Sequence, residues 1–329
     1  MFEFCITRPL GFIIQHIYNL VQNYGWSIIL FTVVIKLILL PLQVKSQKSM
    51  KKQQKIQPLM AELQKKYAND KEKLQTETMK LYKENNVSMT GGCLPLLIQF
   101  PILIGLYRVI QRPLSYLIGV DFKAESVINK VAEVVSKMAA DPAVSHAVAN
   151  VKNLAPAELA KTISKMYEIQ FSTWCRYLEQ IAPGSGYDDW TLNFSFFGLD
   201  LSKVPSSAFS AIMSGDFSNF ATIGLLLIPI IAILATWFSM RQTQQMSGQS
   251  GAQANEQAAS MNKTMSLMMP LMTGFFTITL PSALGIYWIA SSLMQIVTQY
   301  ILNVYFDKKE DDFDVKLPEK NRKNRKKRR

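Results

Sequence analysis

The chain of 329 residues is long enough for two soluble domains or for one membrane protein with several spans. Hydrophobic residues make up 49% of it and charged residues only 18%, below the roughly 25% of an ordinary soluble domain. Three cysteines are too few to frame a disulfide-stapled fold, and two histidines leave little material for a metal site. Apolar stretches approaching the roughly 20 residues that cross a bilayer alternate with charged, helix-prone stretches. This composition predicts an all-α integral membrane protein.

Residues 1–24 precede the first apolar stretch and carry charge only at Glu3 and Arg8. Their apolar residues recur at helical spacing, which predicts an amphipathic helix lying on the outer membrane surface. A signal peptide is the alternative interpretation, although no small-x-small cleavage pattern precedes Gly25.

Five apolar stretches are predicted to cross the membrane as helices. Lys and Arg near the ends of spans mark the cytoplasmic side, so the charge of the connecting segments predicts the orientation. Residues 43–90 hold eleven Lys against five acids, and residues 306–329 hold eleven basic residues against six acids, whereas residues 114–219 hold eight basic residues against eleven acids. An outside N-terminus and a cytoplasmic C-terminus follow. The predicted spans are residues 25–42, 91–112, 220–240, 264–281 and 282–305.

The connecting segments are predicted to be mostly helical. Residues 43–90 carry apolar stripes interrupted at Asn69 and Asp70, which predicts a basic cytoplasmic helical hairpin. Asn69, with Glu72 three residues later, is the predicted cap of its second helix. Its Lys-rich face suits lipid headgroups or an RNA-rich partner, or is a solvated face. Residues 113–219 carry two apolar stripes at helical spacing, which predicts a long, mostly helical extracytoplasmic insertion. The remaining segments are predicted to be a polar cytoplasmic loop at 241–263 and a basic cytoplasmic tail at 306–329.

Lys36 is the ionisable residue that lies deepest in a predicted span. An ammonium group at that depth costs about 2.5–3.5 kcal/mol, and no Asp or Glu occurs in any predicted span to pair with it. Either a water-filled cavity offsets this cost or the side chain snorkels to the cytoplasmic interface, roughly 9 Å away along the helix.

Other polar residues favour the cavity. Thr32 lies one turn before Lys36 on the same helical face, and Gln99 lies in the middle of the second predicted span. Each such residue alone is more often an interhelical hydrogen-bonding group. Together with a lone cation they predict a polar groove, to which the fifth predicted span adds Ser291, Ser292, Gln295 and Gln299.

Three stretches follow one another in the chain, with the Lys-rich helical pair between the first two: GWSIILFTVVIKLILLPL, GGCLPLLIQFPILIGLY and MMPLMTGFFTITLPSALGIYWIASSLMQIVTQ. Together they resemble the YidC/Oxa family of membrane protein insertases. The resemblance covers about 1–118 and 190–306 and is closest to the shorter bacterial form, without an extra N-terminal span and a large periplasmic domain. Lys36 stands where the family usually has Arg, and the segment from about 120 to 190 is longer than the resemblance suggests.

The resemblance implies an insertase and chaperone of the bacterial cell membrane that is not an enzyme and uses no cofactor or metal. It would receive nascent membrane proteins in a hydrophilic groove open to the cytoplasm and to lipid, and release them laterally into the bilayer, alone or with the Sec translocon. The basic tail is expected to contact the ribosome or anionic lipids, and no DNA partner is expected. The implied groove residues are Lys36, Thr32, Gln99, Tyr287 and Trp288.

A secondary transporter of a small anionic solute is the alternative function. Such transporters usually show internal repeats and paired ionisable groups. Five spans cannot divide into two equal halves, and Lys36 has no ionisable partner within the predicted spans. The sequence therefore favours the insertase.

Overall fold

The computed structural model describes residues 3–87, 94–213, 220–246 and 256–308. Within these ranges the regular secondary structure is helical apart from one two-stranded sheet, which confirms the predicted all-α class. The helices are α1 (Arg8–Val21), α2 (Tyr24–Ile38), α3 (Leu40–Lys66), α4 (Lys71–Glu84), α5 (Leu94–Gln111), α6 (Glu125–Ala140), α7 (Pro156–Thr162), α8 (Glu168–Ile181), α9 (Pro205–Met213), α10 (Phe220–Met246), α11 (Glu256–Thr279) and α12 (Ser282–Asp307). The antiparallel strands are β1 (Ser195–Phe196) and β2 (Leu199–Asp200).

The chain forms two compact units, each built from three separate segments. Unit 1 holds most of the long segment between the second and third predicted spans, and unit 2 holds the basic hairpin. Unit 1 comprises Met1–Thr32, Phe100–Ile230 and Phe275–Trp288. Unit 2 comprises Val33–Gln99, Ile231–Gly274 and Ile289–Arg329.

One helix of the described ranges is long and apolar enough to cross a bilayer, over Ile223–Gln245 in α10. Helices α2 and α3 make a second such span if they are taken together across a bend of 59°. A shorter apolar helix covers Ser266–Thr279. The predicted number of five spans and their orientation therefore stay predictions.

The bend between α2 and α3 falls inside the predicted first span. Helix α2 ends at Ile38 and α3 begins at Leu40, so the break precedes the predicted end at residue 42. Pro41 lies at the second position of α3, where its missing N–H is not needed and its fixed φ suits a helix start. The apolar run continues through this break, which is why hydropathy alone did not reveal it.

Helices α6, α7 and α8 pack on one another in unit 1. The apolar stripe of α6 is buried at Val131, Val134 and Val135. The ring of Phe171 in α8 is fully buried, and its centroid lies 5.7 Å from that of Trp190. The predicted helical character of this segment is therefore observed, and its stripes form an internal core.

Helix α1, which is part of unit 1, packs on the rest of that unit with one face and exposes another. Ile14 is fully buried, and the side-chain amide of Gln15 donates to the carbonyl of Leu117 at 2.9 Å. Phe12 and Leu20 on the opposite side are 62% and 85% exposed. One face of α1 is thus packed inside unit 1, and the contact of the exposed face with the outer membrane surface stays a prediction. Helical spacing did not separate the two faces because both carry apolar residues.

A carboxylate is buried where α8 meets the turn that follows α5. Glu168 is fully buried and accepts hydrogen bonds from the Ser115 backbone N–H at 2.9 Å and the Ser115 hydroxyl at 2.5 Å. The Nε of Arg112 lies 3.6 Å from the same carboxylate. Burial raises the pKa of Glu168 to about 7, although the Ser115 bonds and the Arg112 charge oppose that rise. This carboxylate joins the helical insertion to the end of α5.

Helices α3 and α4 form the basic hairpin in unit 2. Asp70, rather than the expected Asn69, caps α4, and its carboxylate accepts from the Lys73 backbone N–H at 3.0 Å. The two helices share a small apolar cluster. Its buried members are Ile56, Leu81 and Val87, and its partly buried members are Leu59, Met60, Leu63 and Tyr82.

The hairpin is also attached to the C-terminal part of α12. Val44 packs on Leu302 and Phe306, and the Lys51 ammonium lies 2.7 Å from the Asp307 carboxylate. Asp307 is largely exposed, so this ion pair adds at most about 1 kcal/mol. The hairpin is therefore attached to α12 by a protein contact, which the sequence pattern did not predict.

We expect amide exchange across residues 43–86 to be faster than in α10. The hairpin has one small cluster and many exposed Lys, so its local opening free energy should be low. Hydrogen exchange with mass spectrometry in lipid nanodiscs measures this. Ile56→Ala should accelerate exchange in α4, across the cluster, whereas Lys45→Ala at an exposed site should not. Equal protection of the hairpin and α10 would show a rigid element.

Candidate functional site

Lys36 lies in the last turn of α2 and is 7% exposed. In the ranges that the structure describes, its ammonium forms no ion pair with a carboxylate. The helix around it is apolar, because the residues from Ile28 to Ile38 include only Thr32 and Lys36 as polar side chains. The structure therefore keeps a cation in a largely buried position on an apolar helix.

Thr32 is one helical turn before Lys36 and is 1% exposed. Its hydroxyl donates to the Ile28 carbonyl at 2.7 Å, which satisfies the donor within the helix. The hydroxyl oxygen keeps an acceptor lone pair that this bond does not use.

The other predicted groove residues lie on α5 and α12. Gln99 is half-buried in unit 2, and Tyr287 is 4% exposed in unit 1. Trp288 is half-buried and stacks on Phe276, with ring centroids 6.2 Å apart and planes 7° apart. The structure thus pairs Thr32 with Lys36 along α2 and Tyr287 with Trp288 along α12. Whether all five line one groove stays a prediction.

Helices α10 and α12 are joined in unit 2 by two polar pairs. The hydroxyls of Thr236 and Ser292 are 3.3 Å apart, and the Gln299 side-chain amide donates to the Thr243 hydroxyl. Each pair is separated by 56 residues, so the two helices run parallel at this contact.

The same face of α12 also contacts the start of α3. The Gln43 side-chain amide donates to the Gln295 side-chain oxygen at 3.3 Å. Ser292, Gln295, Gln299 and Asn303 follow one another at three- or four-residue spacing and therefore form one stripe along α12. Among the described residues of unit 2, several buried amide oxygens have no hydrogen-bond partner. They are the side-chain oxygens of Gln43, Gln242, Gln299 and Asn303.

These groups define what unit 2 can do chemically. Buried amide oxygens without partners are costly in an apolar medium, so they favour water or a ligand that donates hydrogen bonds. The Lys36 ammonium can attract a carboxylate. The described part of unit 2 therefore offers buried polar groups that water can hydrate and a buried cation that attracts negative charge.

Sequence reasoning identified Ser292, Gln295 and Gln299 as polar residues of the fifth predicted span, but missed their partners. Thr236 and Thr243 are seven residues apart, as are Ser292 and Gln299. That shared spacing places each pair on one helical face and is the signal that could have revealed the contact.

The chain is similar to known membrane proteins over most of its length. The model of the 60Kd inner membrane protein family matches residues 16–309. A membrane protein insertase YidC from Syntrophus aciditrophicus is 50% identical over 105 residues, which are 32% of this chain and 19% of that protein. The YidC of Fusobacterium nucleatum subsp. nucleatum is 48% identical over 106 residues, 32% of this chain and 52% of that protein. The YidC of Nitratidesulfovibrio vulgaris is 44% identical over 110 residues, 33% of this chain and 21% of that protein.

The matched segments span between about a fifth and about half the length of these relatives. The family model, by contrast, covers far more than half of this chain. The buried cation of α2 and the polar stripe of α12 both lie inside the matched range. The chain therefore belongs to the 60Kd inner membrane protein family, which confirms its resemblance to the YidC/Oxa insertases.

Proposed function

We propose that this chain inserts nascent membrane proteins into the bilayer of a bacterial cell. Its relatives are named membrane protein insertases. The observation that carries the proposal is Lys36, a cation that is 7% exposed on an apolar helix and has no carboxylate partner among the described residues. A purely structural helix has no need of such a charge, whereas a groove that attracts acidic segments does.

The physical mechanism follows from these groups. An inserting segment has an apolar helix and a short hydrophilic tail that must reach the far side of the membrane. A hydrated groove partway into the bilayer shortens the dry distance that the tail crosses, and Lys36 attracts acidic residues of that tail. Burial of about 20 apolar residues in lipid supplies the driving force, so the step requires no nucleotide.

We infer five spans with an outside N-terminus and a cytoplasmic C-terminus. In such an alternation the first, third and fifth spans run in the same direction. The parallel contact of α10 and α12 supports this arrangement, as does the charge difference between the connecting segments. The hairpin of α3 and α4 is then cytoplasmic, where it can receive a substrate before the substrate meets Lys36.

The proposed partners follow from the same chemistry. Nascent membrane proteins are the substrates, with or without the Sec translocon. Anionic lipids and the ribosome are partners of the basic segments, because both present phosphate groups to Lys and Arg.

Reconstitution into liposomes tests the function directly. The full chain is incorporated into vesicles, a small single-span substrate with an acidic tail is added, and protease protection of that tail is scored. Protection that depends on the chain supports insertion. No gain over protein-free vesicles would refute it, and uptake of a small anion in its place would favour the transporter.

The basic tail at 306–329, of which residues 309–329 lie outside the described ranges, gives a separate prediction. Truncation after Val315 removes most of its Lys and Arg and should weaken ribosome co-sedimentation. Binding by the intact chain should fall steeply between 50 and 200 mM salt, since each phosphate contact releases a counterion and several contacts multiply the effect to roughly 10³ or more. Replacing the acids of residues 310–314 with the corresponding amides is the matched control and should not weaken binding. If ribosome binding is unchanged by both the truncation and the salt concentration, the tail has a role in membrane topology alone.

A further inference from the structure

The strands β1 and β2 are joined by a two-residue turn with an unusual first residue. Phe197 and Gly198 have φ values of +50° and +78°. A hairpin turn with both central residues at positive φ favours Asn-Gly or Asp-Gly, because a bulky side chain is strained there. Phe197 therefore occupies the position at which Asn would be preferred.

The ring of Phe197 is also 76% exposed, so packing within the protein does not explain it. Its neighbours are aromatic: its centroid lies 4.6 Å from that of Phe196 and 6.1 Å from that of Trp26. Trp26 is itself 45% exposed. These three rings form what we call the aromatic tip, and an exposed, strained Phe at its end calls for an apolar surface outside the protein.

The position of the aromatic tip is fixed by contacts with the start of α2. The Asn23 side-chain amide donates to the Ser195 carbonyl at 2.7 Å, and the Tyr24 N–H donates to the Asn193 carbonyl at 2.9 Å. Gly25 allows the Phe196 ring to lie against the helix, because any Cβ at residue 25 would overlap that ring.

The same segment fixes the starts of α10 and α12. Gly224 in α10 lies against the Leu199 side chain, which a Cβ at residue 224 would displace. The backbone N–H groups of Ser282 and Ala283 donate to the carbonyls of Lys203 and Leu201 at 2.9 and 3.2 Å. These bonds satisfy N–H groups that a helix start leaves without partners. The beginnings of three helices therefore meet at the segment that carries the aromatic tip.

We propose that the aromatic tip docks into the interfacial layer of the bilayer, at the membrane surface where α2, α10 and α12 begin. Its partner is the phospholipid headgroup and carbonyl region. The apolar stretch of α2 begins beside Trp26, and Ile223 begins the apolar helix of α10, so the tip lies at the level where the membrane core starts. Trp is enriched at that level because its ring combines an apolar body with a polar N–H, and the Phe rings beside Trp26 add apolar area for the adjoining lipid. The docking goes beyond the proposed insertase activity and depends only on the membrane location.

A fluorophore at residue 197 tests the proposal. Phe197→Cys is labelled in the full chain carrying Cys5→Ser and Cys93→Ser, since Cys175 is buried and does not label. The protein is reconstituted in phosphatidylcholine and phosphatidylglycerol vesicles. Asp189→Cys, at an exposed charged site of unit 1, is the matched control. Nitroxide lipids should quench the label at 197 and not at 189, and aqueous iodide should quench 197 several-fold less than 189.

Equal iodide quenching at the two sites, without nitroxide quenching at 197, would overturn the proposal. Protection at 197 that appears only when a substrate segment is added, or only at a high protein-to-lipid ratio, would assign the tip to substrate or to a second copy and would equally overturn it. Phe197→Asn separates docking from folding. It should unfold in detergent at the same or a higher temperature than the parent, because Asn suits the turn. A lower unfolding temperature would show that the ring serves the fold and overturn the proposal.

Discussion

Lys36→Glu is expected to reduce insertion of a substrate with an acidic tail by about tenfold or more. Two unit charges about 4 Å apart interact by about 4 kcal/mol at an effective dielectric constant of 20, and reversing one sign replaces attraction with repulsion. Because tenfold corresponds to about 1.4 kcal/mol, even a well-screened interaction gives a measurable loss. Lys36→Arg keeps the charge and should retain insertion, and Lys36→Ala should lie between the two.

The substrate provides the control for this prediction. A substrate whose tail carries Asn and Gln in place of its acids should be far less sensitive to Lys36→Glu, measured by the same protease protection. Lys45→Glu changes the same charge at an exposed hairpin site and should have a smaller effect. If a stable, well-expressed Lys36→Glu protein inserts the acidic substrate normally, the charge has no role in the groove. A harmless Lys36→Ala would favour the snorkelling interpretation.

The stability of the protein is expected to fall as pH rises from about 4.5 to about 7. The Glu168 pKa is about 7 in the folded protein, against 4.5 for an unperturbed glutamate, so across this window the unfolded chain releases a proton that the folded chain keeps. Stability is greatest below the lower value and least above the higher one. The difference corresponds to about 3 kcal/mol in the free energy of unfolding.

Glu168→Gln should remove this pH dependence. Its side-chain oxygen can accept from the Ser115 N–H and its amide can donate to the Ser115 hydroxyl, while the buried charge is gone. The variant should therefore be more stable than the parent at pH 8, in thermal unfolding of the detergent-solubilised chain between pH 4 and 8. Glu158→Gln, at an exposed site, is the control and should keep the parent's pH profile. An unchanged slope in Glu168→Gln would assign the pH dependence to another group.

Local patterns in the sequence predicted the helices, because helical periodicity and charge are properties of neighbouring residues. The stripes at Val131 and Val134, and the hairpin break near Asp70, needed no distant contact. The predicted cap of α4, Asn69, was wrong by one position. Asn69 and Asp70 are both good capping residues, and only the local backbone conformation decides between them.

Long-range contacts explain what the sequence did not predict. The buried Glu168 is hydrogen-bonded by Ser115, 53 residues away, and the sequence around neither residue predicts this contact. Strands of two residues, such as β1 and β2, are too short for a periodic signal. For the site, Lys36 was prominent because charge is rare in a span. Thr236 and Thr243 were not identified, because hydroxyl groups are common in apolar helices. Their role is visible only from the residues on α12 that they contact.

The common separation of 56 residues in the two polar pairs between α10 and α12 fixes the register of these helices. In lipid, apolar side chains gain little by choosing one sliding position over another, because the lipid tails are equally apolar. Two polar pairs with the same sequence separation do favour one sliding position, because both pairs form only in that register. One residue inserted between Thr236 and Thr243 would rotate the rest of α10 by about 100° and break one pair. An insertion in the connection between α10 and α11 would leave both pairs intact. Length changes should therefore be tolerated in that connection and not within the helical segment that the two pairs enclose.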